Sequence, residues 1–285
     1  MKTGPTFSEI LQASLRSWDS RRADEFVFSM AIPVEGIDPL NQLPVIALNQ
    51  QFSFLWDCKP GLCIAASGLC QNFELVGQRR FELAQRFSDE TFEQLIDGTI
   101  DAPSQARPRV LFAFTFFDQN TQAQRDWESP PAVQAVLPRW QLTNQFGQGW
   151  LRLNSVVVND ADIREFVEHL WLMRQKLLES LNVETCYRPQ GQLFIKDSQS
   201  WKKSYKLALE KGINLVDSGE LKKIVLAVKQ SISLKYPINP LNILSNLRNT
   251  QKGSCRFLWK RCQDEVFFGA SPERLLSIKN NQLTI

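Results

Sequence analysis

Apolar residues recur at two periods along the chain, and the alternation between them predicts a mixed architecture. Phe7, Ile10, Leu11, Leu15 and Trp18 repeat near the helical period and predict a short amphipathic helix at the start. Phe26 to Val34 then reads as a strand. Further strands are expected over Phe52–Trp56, Leu62–Leu69, Val110–Phe117, Val133–Leu142 and Trp150–Val158, all rich in Phe, Val and Trp. Helical spacing marks Arg80–Phe87 and Thr91–Ile96. Asp160 is placed to cap a long helix whose stripe is Ile163, Phe166, Val167, Leu170, Met173 and Leu177.

The polar stretch Arg188 to Ser200 is the best internal boundary, dividing the chain into 1–197 and 198–285. Beyond it, Trp201, Tyr205, Leu209, Ile213 and Val216 define one helical face, which Asp217, Ser218 and Gly219 terminate. Lys223–Val228 reads as a buried strand, Pro240–Leu247 as a helix, and Arg256–Trp259 and Val266–Gly269 as strands. Leu275–Ile278, a polar turn over Lys279–Gln282 and Leu283–Ile285 give strand, turn, strand. Because the last residue falls inside a strand, the expectation is a chain truncated at its C-terminus, with a very short edge strand as the alternative.

Composition narrows the class. The 285 residues are 43% hydrophobic and 22% charged with a formal net charge of +3, which suits a soluble globular enzyme rather than a disordered or fibrous chain. Lys and Arg are scattered, so no nucleic-acid footprint is indicated. The densest basic stretch, Lys252, Arg256, Lys260 and Arg261, interleaves with Cys255, Phe257 and Trp259 at period two and reads as a strand with one wet face. No run approaches the length of a membrane span and no signal-peptide pattern opens the chain, so a cytoplasmic location is expected. The six cysteines form no CxxC pair and read as reduced, buried thiols. His169, the single histidine, lies on a helix flank without a nucleophile motif, so triad chemistry is set aside.

Two residues could carry acid/base chemistry. Lys223 opens an apolar run; desolvation there would favour a neutral amine able to act as general base, while the plainer reading of Lys222 and Lys223 is a wet strand entrance. Glu273 follows Phe267, Phe268, Gly269, Ala270, Ser271 and Pro272. Gly and Ala permit close backbone approach to a ligand, Pro stiffens the turn, and a carboxyl group at the end of a hydrophobic strand can hold its proton and serve as general acid. A solvated Glu after a turn is the alternative. Gly147 and Gly149 mark only a turn.

Gly219, Lys223, Ile224, Val225, Leu226 and Ala227, followed by Phe268, Gly269, Ala270, Ser271, Pro272, Glu273 and Leu275, resemble the paired signatures of the chorismate-utilising enzymes. The first signature departs from the family at Val228, where Arg is common. Gly77, Arg80, Phe81, the strand near Phe112 to Asp118, and Leu137, Pro138 and Arg139 are similar to looser features of the isochorismate synthase branch.

The resemblance implies an α/β (α+β) fold of the anthranilate synthase component I type, with large, mostly antiparallel sheets, outer helices and an incomplete C-terminus. It implies Lys223 as base, Glu273 as acid, and Gly269, Ala270 and Ser271 against the substrate. The lysine at 223 points to members that add water to chorismate, since ammonia-using members commonly carry Gln there. The implied activity is isochorismate synthase serving menaquinone, phylloquinone or siderophore synthesis; salicylate synthase and a non-catalytic chorismate-binding module are the rivals. Mg²⁺ is implied through glutamates expected beyond residue 285, and Glu90 with Glu93 or Glu165 with Glu168 are not assigned to metal. A monomer acting on chorismate, without nucleic-acid or membrane partners, is expected.

Overall fold

The computed structural model describes residues 5–19, 26–58, 61–99, 102–118, 130–181, 200–227, 234, 237–262, 265–272, 277–279 and 282–284. The chain forms two compact units: Met1–Thr185 with Pro240–Ile285, and Cys186–Asn239. The segment after Pro240 therefore folds with the chain's first 185 residues, although it follows the boundary marked by Arg188 to Ser200.

The larger unit is built on one sheet, nine-stranded among the described residues. Its strands are β1 (Phe26–Pro33), β2 (Ser53–Asp57), β3 (Cys63–Leu75), β4 (Leu95–Asp97), β5 (Leu111–Phe114), β6 (Val133–Gln145), β7 (Gln148–Val157), β8 (Cys255–Cys262) and β9 (Glu265–Ser271). They run in the order β4-β1-β7-β6-β3-β2-β8-β9, with β5 beside the start of β6. Every pairing is antiparallel except β1 with β4. A separate hairpin joins β10 (Ser277–Lys279) to β11 (Gln282–Thr284), as the strand-turn-strand pattern predicts.

Helices α1 (Phe7–Asp19), α2 (Pro39–Ile46), α4 (Asp160–Ser180) and α6 (Pro240–Thr250) contribute to one large core with residues of the sheet. Phe28 of β1 meets Phe166 of α4 edge-to-face at 5.0 Å, and Leu40, Leu55, Leu142, Leu151, Ile163 and Leu170 are fully buried around them. Each such side chain contributes about 1.5–3 kcal/mol by leaving water.

Three local departures from expectation have clear causes. The cap of α4 is Asn159 rather than Asp160: its Oδ1 accepts from the amides of Ala161 at 2.8 Å and Asp162 at 3.2 Å, and Asp162 Oδ2 in turn accepts from the Asn159 amide. Asp160 instead lies in the first turn, where a carboxylate suits the helix dipole. Helical spacing over Thr91–Ile96 gives way because α3 (Arg80–Glu93) stops first, and Leu95 and Ile96 enter β4 to pair in parallel with Val27 and Phe28. The helix α2 carries no sequence expectation because its two prolines resemble a loop. Pro39 occupies a helix-start position where its missing N–H costs nothing, and burial of Leu40, Leu43 and Ile46 outweighs the bond lost at Pro44.

The β6–β7 hairpin turns on Phe146 and Gly147, both with positive φ (52° and 84°), as a two-residue turn of the kind that suits twisted strands. Gly149 follows because a Cβ there would collide with the Val34 carbonyl and the Ile37 side chain. No helix among the described residues is long and apolar enough to cross a membrane.

The smaller unit contains α5 (Ser200–Asp217), which ends at Gly219 with φ of 78°. The strand expected at Lys223–Val228 is not formed over its described residues: 223–227 lack regular structure, and Lys223 is solvent-exposed. An apolar run becomes a strand only with a ladder partner. Here Ile224, Val225 and Leu226 instead border a groove with Leu209, Gly212, Ile213 and Val216 of α5.

Candidate active site

Gly269, Ala270 and Ser271 lie together on β9, at the end of the described sheet order. The pairing of β8 with β9 sets their directions: Cys255 faces Ser271, Arg256 faces Ala270 and Phe257 faces Gly269. Because side chains alternate along a strand, Gly269 and Ser271 share a face with Cys255, Phe257 and Trp259, while Ala270 shares the opposite face with Arg256 and Leu258.

The first face is an aromatic groove of about 620 Å³ whose lining includes Phe54, Trp56, Phe112, Phe257, Trp259 and Phe267. Trp259 packs edge-to-face on Phe52 and Phe54, and its indole N–H donates to Gln134 Oε1 at 2.8 Å. The charged lining is an internally neutralised pair, Arg261 to Glu265 at 2.9 Å. This groove offers apolar area rather than an acid and a base. At Gly269 a Cβ would stand 3.0 Å from Phe257 Cζ, so the aromatic ring occupies the space left by the absent side chain. The glycine was expected to admit a ligand; cross-strand packing against Phe257 already favours it.

The opposite face holds a buried ionic network that the sequence pattern misrepresents. Arg256 was assigned to a wet strand face, yet it is only 1% exposed, whereas the aromatic Phe267 on the other face is 70% exposed. Arg256 Nε donates to Asp57 Oδ2 at 3.1 Å; its Nη2 lies 3.0 Å from that oxygen as an ion pair without hydrogen-bond alignment. Arg248 of α6 donates through Nε to Asp57 at 2.7 Å and through both terminal nitrogens to Asp38. Asp38 in turn caps α2 by accepting from the Leu40 amide.

Burial alone would raise the Asp57 carboxyl, but hydrogen bonds from Arg248 and the Cys63 thiol, with the charges of Arg248 and Arg256, hold it below the usual aspartate value. Burial and the adjacent Asp57 push the Cys63 thiol up to about 12. The network fastens α6 and β8 to the segment around α2 and β2. A charged residue amid apolar strand neighbours, as at Arg256, was the available signal; its partner Asp57 is 199 residues away in sequence.

The cysteines require a correction too. Cys58 and Cys255 form a disulfide, with Cα atoms 4.4 Å apart. They continue the β2–β8 register one step beyond Asp57 opposite Arg256, where strand geometry brings facing residues into reach. Among the described residues Cys63, Cys70 and Cys262 are free. His169 is partly exposed, 3.8 Å from Glu165, and has no role in this region.

Lys223 belongs to the smaller unit, where it is exposed in the segment after α5. Glu273 and Val228 lie outside the described residues. Among the described residues no group of three or more His, Cys, Asp or Glu could hold a metal ion. No donor set among the described residues fits Mg²⁺.

The family model for chorismate binding enzymes matches residues 10–285. The chain belongs to the chorismate binding enzymes. Isochorismate synthase MenF of Haemophilus influenzae is 31% identical over 154 residues, covering 53% of this chain and 33% of that protein. The solved structure of MenF, the menaquinone-specific isochorismate synthase from Escherichia coli, matches with a TM-score of 0.54 at 19% identity, covering 94% of this chain and 56% of that one. The second likeness is one of fold, and the large antiparallel sheet with helices against it agrees with the expected chorismate-binding fold. In both comparisons the match spans less than two thirds of the relative's length.

Proposed function

We propose that the protein is an isochorismate synthase that adds water at C2 of chorismate while the ring double bond shifts and the C4 hydroxyl leaves. The observation that carries this reading is the chorismate binding enzyme match across residues 10–285, a span that includes both signature segments, with lysine at position 223. The isochorismate synthase of Haemophilus influenzae among its relatives supports the same branch.

In this mechanism the Lys223 amine takes a proton from the attacking water, and Glu273 gives one to the departing hydroxyl. One water enters and one leaves, so the reaction is an isomerisation. Each proton transfer contributes about 10² to 10⁴ in rate. The roles demand opposite proton loads: a neutral amine and a protonated carboxyl group. Lys223 is exposed in its own unit, so the mechanism requires its amine to lose water when chorismate is bound. Gly269, Ala270 and Ser271 would border the substrate. Mg²⁺ belongs to the proposal as a hard cation that would orient a carboxylate of chorismate through oxygen ligands. The proposal places the enzyme in the cytoplasm as a monomer serving quinone synthesis.

The test is product analysis on the natural full-length protein supplied with chorismate and Mg²⁺. Isochorismate as the accumulating product supports the reading. Salicylate with pyruvate would transfer it to salicylate synthase, and chorismate binding without any product would leave a non-catalytic module.

A further inference from the structure

We propose that Cys58 and Cys255 form a reversible dithiol/disulfide clasp that controls how firmly the β8–β9 hairpin is held to the rest of the sheet. The bond joins the end of β2 to the start of β8, and Ser271 of β9 faces Cys255 from the other side. The clasp therefore lies in the same row across the sheet as the end of the motif strand, one residue before Pro272. Both cysteines are half-buried, which leaves a small reductant access.

The two faces of β8 are fastened by different chemistry. Asp57, Arg256 and Arg248 hold the helix-covered face through charge, and the disulfide holds the aromatic face covalently. Losing the disulfide leaves the β2–β8 ladder and the ionic network in place, so reduction loosens the hairpin without releasing it. The sequence separation of 197 residues makes the constraint on the unfolded chain large. Cys63 pairs with Asp57 in the neighbouring strand and donates its thiol to that carboxylate, so it lies on the opposite face of the sheet from the disulfide and is not placed to attack it. Exchange is thereby left to an external thiol.

Opening follows thiol–disulfide exchange with a dithiol of the dithiothreitol or protein-dithiol class. One thiolate attacks a sulfur of the pair, the Cys58–Cys255 bond breaks, and the second thiol displaces the mixed disulfide. The reductant becomes a disulfide, and the protein gains two electrons and two protons as two thiols. Closure by a low-molecular-weight disulfide reverses each step.

The experiment combines non-reducing peptide mapping with thermal unfolding and amide exchange on the full-length protein. After alkylation without reductant, a peptide pair linked through Cys58 and Cys255 is expected; it should vanish in native protein treated with dithiothreitol and return with oxidised glutathione. Reduction should lower the melting temperature by about 10 °C and speed amide exchange across residues 255–271. Cys58→Ser and Cys255→Ser should melt at the reduced temperature and ignore dithiothreitol. Alkylation of both cysteines in oxidised protein, a linked pair that survives excess dithiothreitol in the folded state, or equal dithiothreitol responses in wild type and variants would each overturn the proposal. The mapping stands even if a serine variant does not fold.

Discussion

Replacing Asp57 with alanine removes one carboxylate and strands two guanidinium groups. Asp57 is fully buried and receives Arg248 Nε at 2.7 Å and Arg256 Nε at 3.1 Å. After the change Arg248 keeps Asp38, and its side chain is 15% exposed, so its charge remains partly compensated. Arg256, with a side chain 2% exposed, is left with its Nη1 bond to the Ser254 carbonyl. Breaking a buried pair from one side costs about 3–5 kcal/mol. A domain of this size loses about 2–4 °C of melting temperature per kcal/mol, so a fall of about 10 °C is expected.

Asp57→Asn should fall between this value and wild type, since the amide oxygen still accepts one hydrogen bond. Arg86→Ala, which removes an exposed pair to Glu90, should leave melting unresolved from wild type and serves as the control. Calorimetry or tryptophan fluorescence reads the difference. A loss in Asp57→Ala under about 2 °C would show that the network is worth no more than a surface pair, and the account of how α6 and β8 are held would fail.

Acid should expose the same group by another route. The folded Asp57 carboxyl lies below its ordinary value of about 3.9, so its contribution is full above that pH and disappears as pH falls through the lower folded value. Stability measured by urea unfolding should therefore drop more steeply below about pH 4 in wild type than in Asp57→Asn; parallel acid limbs would contradict this. Gly149→Ala should destabilise by about 2–3 kcal/mol, because the clash with the Val34 carbonyl is with backbone that cannot step aside, as urea titration would reveal. Gly269→Ala needs Phe257 to move by only tenths of an ångström and should cost about 1 kcal/mol. If isochorismate formation falls far beyond that small loss, the glycine also serves the substrate. Lys223→Ala and Glu273→Gln should each lower turnover by at least about 10²-fold with unchanged circular dichroism; near-normal turnover in either would remove it from the mechanism.

What could be read along the chain follows from how local each determinant is. The amphipathic α1 and the Phe- and Val-rich strands of the first half depend on residues within one element and stand where the pattern places them; of the turn glycines, Gly147 sits in the β6–β7 turn and Gly149 already lies in β7. The run after Lys223 illustrates the opposite case. Its apolar character is local, but a strand also needs a neighbour to accept its hydrogen bonds, and no local pattern supplies one. Arg256 was misread for a related reason. Alternation says which residues share a face, not which face meets the helices, and only the buried partner Asp57 reveals that the Arg256 side of β8 points inward. The signature residues Gly269, Ala270 and Ser271 were legible as a motif, yet the ring that fills the space at Gly269 comes from the adjacent strand.

The position of that motif strand links fold to chemistry. At the end of the described sheet, β9 is held laterally by its pairing with β8, which is held by β2, Asp57 and the Cys58–Cys255 bond. Any group carried just past Ser271 inherits its placement from this chain of contacts. A carboxyl group acting as general acid must reach its proton acceptor within hydrogen-bond distance, and a displacement of about 1 Å at a reacting group can cost on the order of 10²-fold in rate. Residues with no direct part in proton transfer, such as Asp57 and Arg248, are therefore expected to influence turnover by setting where β8 and β9 lie. Their effect on rate should track their effect on amide exchange in β9, whereas substitution of Lys223 should slow the reaction with no change in that exchange.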